Sequence, residues 1–357
     1  MKKLSLAVLN MIFLGLLFIS CNSNDDATPP SNKSYNMVTT FAGSGLPNAS
    51  EDGVGTQATF WRPEDLVADA GGNLYVVEVG ASKIRKISPA GVVTTFAGNI
   101  ISGSIDGIGM QASFGGPSGL TIDASGNLYI ADTGNNKIRK ISPTGVVTTV
   151  AGTGVGGSGD GDRSQASFLA PTDVAVDASG NLYVADISNN KIRKITPSGA
   201  VSTFAGSGAE GSLDGIGVLA SLHYPRNITI DTGGNLYVSE WGSHKIRKIS
   251  PVGVVTTLAG GGIYDVDGIG RIAGFALPSG LTIDATGNLY VADVHSNKIR
   301  KITPNGVVTT FAGTGIAGSL DGSLATATFD RPFGVAIDNN GNIYIAGNGK
   351  IRKVAYE

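Results

Sequence analysis

The chain has 357 residues, 53 of them glycine, with 41% hydrophobic and 15% charged residues and a formal net charge of −2. That balance speaks against a nucleic-acid-binding surface, which needs a cationic excess on one face, and favours a turn-rich all-β chain. Cys21 is the only cysteine, so no disulfide can stabilise the fold and an apolar core must do so.

In chain order, Lys2 and Lys3 precede an apolar run from Leu4 to Ile19. Ser5 and Asn10 interrupt the run, and it falls short of the roughly 20 residues a spanning helix needs. Residues 1–20 therefore read as an export signal. Residues 22–36 are rich in Asn, Ser, Asp and Pro without an apolar period, the composition of a solvated tether.

A repeat then occupies the chain to its end. Gly-Asn-Leu-Tyr begins at Gly72, Gly126, Gly180, Gly234 and Gly287 and returns as Gly-Asn-Ile-Tyr at Gly341, at spacings of 54, 54, 54, 53 and 54. Lys-Ile-Arg-Lys keeps step from Lys83, Lys137, Lys191, Lys245, Lys298 and Lys350. Each unit holds four short apolar runs, as in Leu120–Asp123, Leu128–Asp132, Lys137–Ile141 and Val146–Ala151. Turn chemistry such as Asp123-Ala124-Ser125-Gly126 and Ser142-Pro143-Thr144-Gly145 separates them. Four antiparallel strands repeated six times predict an all-β, six-bladed β-propeller over residues 37–357.

Blades one to five are expected near residues 63–98, 117–152, 171–206, 225–260 and 278–313, and the inner strands of blade six at 332–354. Met37 to Gly43 copies a fourth strand, which blade six lacks, so residues 37–43 should complete that blade, seal the ring and remove an exposed edge. The long connections between blades, about 18 residues each as in 98–116, are expected on one rim together with the second-to-third-strand turns.

Three resemblances add to this reading. The strings Val-Val-Thr-Thr-Phe-Ala-Gly, Asp-Gly-x-Gly-x-x-Ala-x-Phe-x-x-Pro, Gly-Asn-Leu-Tyr-Val-Ala-Asp and Lys-Ile-Arg-Lys resemble the NHL repeat in its teneurin-type variant, across Met37–Glu357. That family implies an interaction platform, and a minority of related six-bladed propellers imply a metal-dependent lactonase or lyase at the channel mouth. Leu17-Phe18-Ile19-Ser20-Cys21 resembles the lipobox of bacterial lipoproteins, which implies lipidation of Cys21, a tether over 21–36 and a membrane partner through the lipid. Asp25 and Asp26 resemble surface-export tails of Bacteroidetes-type lipoproteins, which implies a surface-exposed outer-membrane location.

What all six units share is most simply scaffold. By that rule the Lys-Ile-Arg-Lys strings are solvated or blade-packing stems, and the six Asp-Gly pairs (Asp52, Asp106, Asp160, Asp214, Asp267, Asp321) brace loops. The acids ending the second strands (Glu78, Asp132, Asp186, Glu240, Asp293) should pair with a neighbouring strand's Lys or Arg. Gly347 breaks that series in a blade that is also two residues shorter between Tyr344 and Lys350, which should open the rim beside Arg331.

Departures from the repeat are where a ligand site would appear. Arg62, Arg163, Arg226, Arg271, Arg331, both tryptophans and all three histidines are expected on the loop-rich rim. The binding candidates are Trp61, Arg62, Tyr224, Arg226, Trp241, His244 and Arg331, suited to a protein, peptide or glycan through stacking and forked hydrogen bonds. For a divalent metal, the oxygens on offer two residues after each opening proline are Asp65, Asp173 and Asn227, in a column completed by Gly119, Gly280 and Gly334. The turn-tolerant backbone of Asp, Asn and Gly explains that column without a metal. His223, His244 and His295 stand at unrelated repeat positions, which favours scattered surface histidines over a zinc site. The expected protein is a monomeric binding or scaffolding module of the cell envelope, with a metal-dependent hydrolase or lyase as the alternative.

Overall fold

The computed structural model describes residues 34–357, so the expected leader, Cys21 and most of the tether lie outside the described residues. Six antiparallel sheets follow one another around a ring. Blade one runs through Pro63–Ala68, Leu74–Glu78, Lys83–Ile87 and Val92–Gly98. The first strands of successive blades contact one another in turn, and blade six contacts blade one, so the ring is closed around a channel. Six apolar clusters make the core, each shared between two neighbouring blades, as where Tyr75 and Val77 meet Phe114, Leu120 and Ile130. Burying such pairs from both sides stabilises the blade contact rather than the single sheet.

The closing strand is Tyr35–Ala42, antiparallel to Lys350–Tyr356. It begins two residues earlier than the repeat suggests because Tyr35 is partly buried: its ring lies 5.1 Å from Phe311 and 6.1 Å from Tyr290, edge to face. Ser34 exchanges backbone hydrogen bonds with Glu357, and the Tyr35 hydroxyl donates to the Gly341 carbonyl in a first-to-second-strand turn. Both tight turns of each blade share this face, as Gly72 beside Pro89 and Gly126 beside Pro143 illustrate.

Each sheet carries a fifth strand that the four apolar runs do not predict. The connection from blade one to blade two descends the circumference, pairs Gly107–Ile108 with Val146–Val147 of blade two, and bonds Gly109 to Gly145 in a tight turn. It then climbs back with Ala112 and Phe114 fully buried between the blades. The long connections are thus largely wedges and edge covers. Arg163 and Arg271 travel with them: Arg163 donates to the Ser198 carbonyl in a tight turn, and Gly270, next to Arg271, bonds Gly306 in another. These two arginines therefore sit toward the tight-turn face, not on the rim where the sequence suggests all five.

Candidate functional site

The shared polar residues build the scaffold through one buried guanidinium per blade. Arg85, Arg139, Arg193, Arg247 and Arg300 are fully buried and Arg352 nearly so, which rules out the solvated alternative for the third residue of Lys-Ile-Arg-Lys. In blade two, Arg139 Nη1 donates to Asp132 at 2.8 Å and Nη2 to Asp106 at 2.6 Å, and the guanidinium stacks 5.3 Å from the Phe114 centroid. Asp106 also accepts from the Thr149 backbone and hydroxyl. Burial raises the pKa of Asp106, but the bonds from Arg139 and Thr149 outweigh it and hold the carboxyl below the usual range. The Asp-Gly pairs therefore brace loops by reaching a buried cation.

The acids ending the second strands do a second job, accepting the backbone N–H two residues before each opening proline: Trp61, Gly115, Leu169, His223 and Ala276. Blade six lacks both functions, since Gly347 offers no carboxylate. Its Cβ position is filled by backbone, 2.8 Å from the Arg331 carbonyl oxygen and 3.1 Å from the Pro332 Cα. The shortened turn has collapsed onto Arg331–Pro332, and a cleft of about 340 Å³ opens beside it between blades six and one. Trp61, Arg62, Glu64, Asp330, Arg331, Phe333 and Asn348 are among its lining residues.

Within this cleft Arg62 and Arg331 are 64% and 67% exposed, so their forks face solvent. Both precede an opening proline and hold φ of +53° and +47°, as Ala170, Tyr224 and Leu277 do at the same register. The left-handed backbone is thus a demand of the scaffold, met by Gly116 in blade two. The Trp61 ring lies against Gly80, whose added Cβ would fall 2.5 Å from the indole.

The remaining candidates gather on blade four. Arg226 lies 4.6 Å from the Trp241 centroid and pairs with Glu64, which also accepts from Arg62 at 3.1 Å. Blades one and four stand opposite each other, so the Arg226–Glu64 pair crosses the channel mouth. Glu64 escaped the sequence reading, although it departs from Ser118, Thr172 and Ser279 at its register and could have been found by that rule. The Tyr224 hydroxyl donates to Glu210 at 2.9 Å. His244 Nδ1 accepts the Leu277 N–H at 3.0 Å, the bond that Asn136, Asn190 and Asn297 make in their blades, so this histidine replaces a structural asparagine.

Beneath the mouth, Asp65, Asp173 and Asn227 accept the backbone N–H of Leu120, Ile228 and Leu281 in a neighbouring blade. None of the six residues in that column has a positive φ, so backbone tolerance does not explain it. Close approach does: a Cβ on Gly119 would fall 2.3 Å from Asp173 Oδ1, and one on Gly334 2.7 Å from the Glu64 carbonyl oxygen. Burial drives the pKa of Asp65 up to about 7, against hydrogen bonds from Leu120 and Leu66 and the Arg226 charge. Burial, then the Asp65 charge, raises that of Asp173 as well. Among the described residues no three His, Cys, Asp or Glu converge as a metal-holding group.

The NHL repeat family matches residues 114–141, 168–195 and 275–302, and a beta-propeller repeat matches 328–351. With six such blades closed in a ring, these matches decide the family. The chain is an NHL-repeat β-propeller. NHL repeat-containing protein 2 of Bos taurus is 31% identical over 313 residues, covering 76% of this chain. The NHL propeller described here spans less than half of that relative, 43% of its length. An auxiliary nutrient binding protein from Bacteroides thetaiotaomicron superposes with a TM-score of 0.70 at 19% identity, covering 91% of this chain and 77% of that one. A gluconolactonase from Xanthomonas campestris superposes at 0.60 with 13% identity and 90% of each chain covered. At these identities the two structures share the fold with this NHL propeller.

Proposed function

We propose that this NHL propeller is an envelope-anchored ligand-binding module whose site is the cleft between blades six and one. The observation that carries the reading is the convergence of Trp61, Arg62 and Arg331 at an opening made by the shortened turn of blade six. Its volume falls within the roughly 300–1,000 Å³ of small-molecule sites. Exposed guanidinium forks beside an indole supply oriented hydrogen bonds and a flat apolar face. The fold likeness to a nutrient binding protein supports the same class of function. Cys21 would carry the lipid, and the domain would stand on the cell surface.

The test is binding of the purified domain, Ser34 onward, to immobilised glycan and peptide panels, with Trp61→Ala and Arg163→Ala compared. The reading expects a ligand whose retention drops with Trp61→Ala and is untouched by Arg163→Ala, on the opposite face. Retention that ignores Trp61 would place the site elsewhere and overturn it.

A further inference from the structure

The polar groups of the cleft are not evenly committed. Glu64 is shared by Arg62 and Arg226, and Asp330 accepts from the Asn348 amide at 2.8 Å. Arg331 has only a 3.7 Å approach of its Nε to Asp330, and among the described residues its two Nη groups donate to nothing. Arg62 thus shares its carboxylate with Arg226 from across the channel, while Arg331, 67% exposed, meets Asp330 only through its Nε and keeps its fork unengaged. Across the six blades the residue before the opening proline is Arg62, Gly116, Ala170, Tyr224, Leu277 and Arg331. Arginine stands there only in the two adjacent blades that frame the cleft.

Resting on the binding reading above, we infer that the cleft takes a saccharide bearing a carboxylate, a uronic-acid oligomer, with one pyranose face on Trp61 and the carboxylate held by Arg331 and Arg62. A planar carboxylate matches a guanidinium fork in two parallel hydrogen bonds, which a lysine cannot reproduce. A pyranose ring offers C–H groups to the indole and hydroxyls to short polar side chains, and Asn48, Asp330 and Asn348 line the same cleft. A peptide strand is disfavoured by the fold, because the outer strand of every blade is already paired at one end with a two-residue strand, which shortens the edge left for strand addition.

The experiment is calorimetric titration of the domain with oligogalacturonate, oligomannuronate and oligoglucuronate, each beside its methyl ester, and with neutral oligosaccharides of equal length. Arg62→Gly and Arg331→Gly suit the positive φ at these positions, as Gly116 does in blade two. Arg331→Lys keeps the charge without the fork. The expected result is binding of at least one free acid, weakened on the order of tenfold to thirtyfold by its methyl ester, by either glycine variant and by Arg331→Lys. Equal binding of acid and ester, or of a neutral oligosaccharide, would overturn the carboxylate claim while leaving the binding module standing. No binding of any uronate, with Trp61-dependent retention of some other ligand on the panels, would overturn it equally.

Discussion

Removing a guanidinium from the middle of a blade strands carboxylates, and the penalty depends on how many of them are buried. Arg193 holds Asp186, which has no exposed surface, and Asp160, which is half exposed; Arg352 holds only Asp321, because Gly347 replaces the inner acid. Leaving a buried charge unpaired costs about 3–5 kcal/mol. Arg193→Leu should therefore lower the unfolding free energy measured in urea by about 3–5 kcal/mol, and Arg352→Leu by clearly less. Equal losses would mean that the inner carboxylate is not what makes the pair matter. The channel acids give a pH dependence of opposite sense to an ordinary salt bridge. Asp65 titrates near 7 in the fold against about 3.8 in the unfolded chain, so between those values the native state binds more protons. Stability from this group is full below about pH 3.8 and is lost progressively as pH rises to about 7. Asp65→Asn and Asp173→Asn should raise the melting temperature most at pH 8 and by clearly less at pH 5, since Asn227 already does the same job as a neutral amide. A gain that is independent of pH would remove burial of charge as its cause.

At the scale of elements, the strand Tyr35–Ala42 completes a blade that is otherwise three strands wide, and it also carries the edge strand Gly322–Ser323. Deleting residues 34–42 would expose the whole edge of Lys350–Tyr356 and uncover Tyr290, Phe311 and Phe329. The expected outcome is association through the bare edge, seen as concentration-dependent mass in light scattering. A truncated protein that stayed monomeric with an unchanged melting temperature would show that closure is dispensable. This strand was legible in the sequence because it copies Val92–Gly98 almost letter for letter, and the blades were legible for the same reason. The two-residue edge strands were not, since Gly107–Ile108 has no apolar alternation of its own and is a strand only because Val146–Val147 lies beside it. For the cleft, the gap in the acid series at Gly347 and the two missing residues pointed to the place. What the repeat could not convey was contact across the ring: Glu64 and Arg226 are 162 residues apart and meet only because blades one and four face each other.

For the whole molecule, the position of the first described residue relative to the cleft sets how an anchored domain would face its surroundings. Ser34 pairs with Glu357 on the tight-turn face, whereas Arg62 and Arg331 open on the loop-rich rim at the other end of the channel. Residues 22–33, which lie outside the described residues, separate that point from Cys21 in the sequence. A lipid on Cys21 would hold the tight turns near the membrane and direct the cleft outward, the orientation a captured extracellular ligand requires. Two single cysteines test this on intact cells with a bulky membrane-impermeant maleimide: Asn48→Cys beside the cleft and Asn339→Cys in a tight turn of blade six. Both side chains must first label at equal rates in the purified domain. The expected result on cells is faster labelling of Asn48→Cys, and equal rates once Cys21→Ser has released the protein. The reverse order on cells would mean that the cleft faces the membrane and serves a ligand held there, and labelling of neither until lysis would place the anchored domain on the inner side of the envelope.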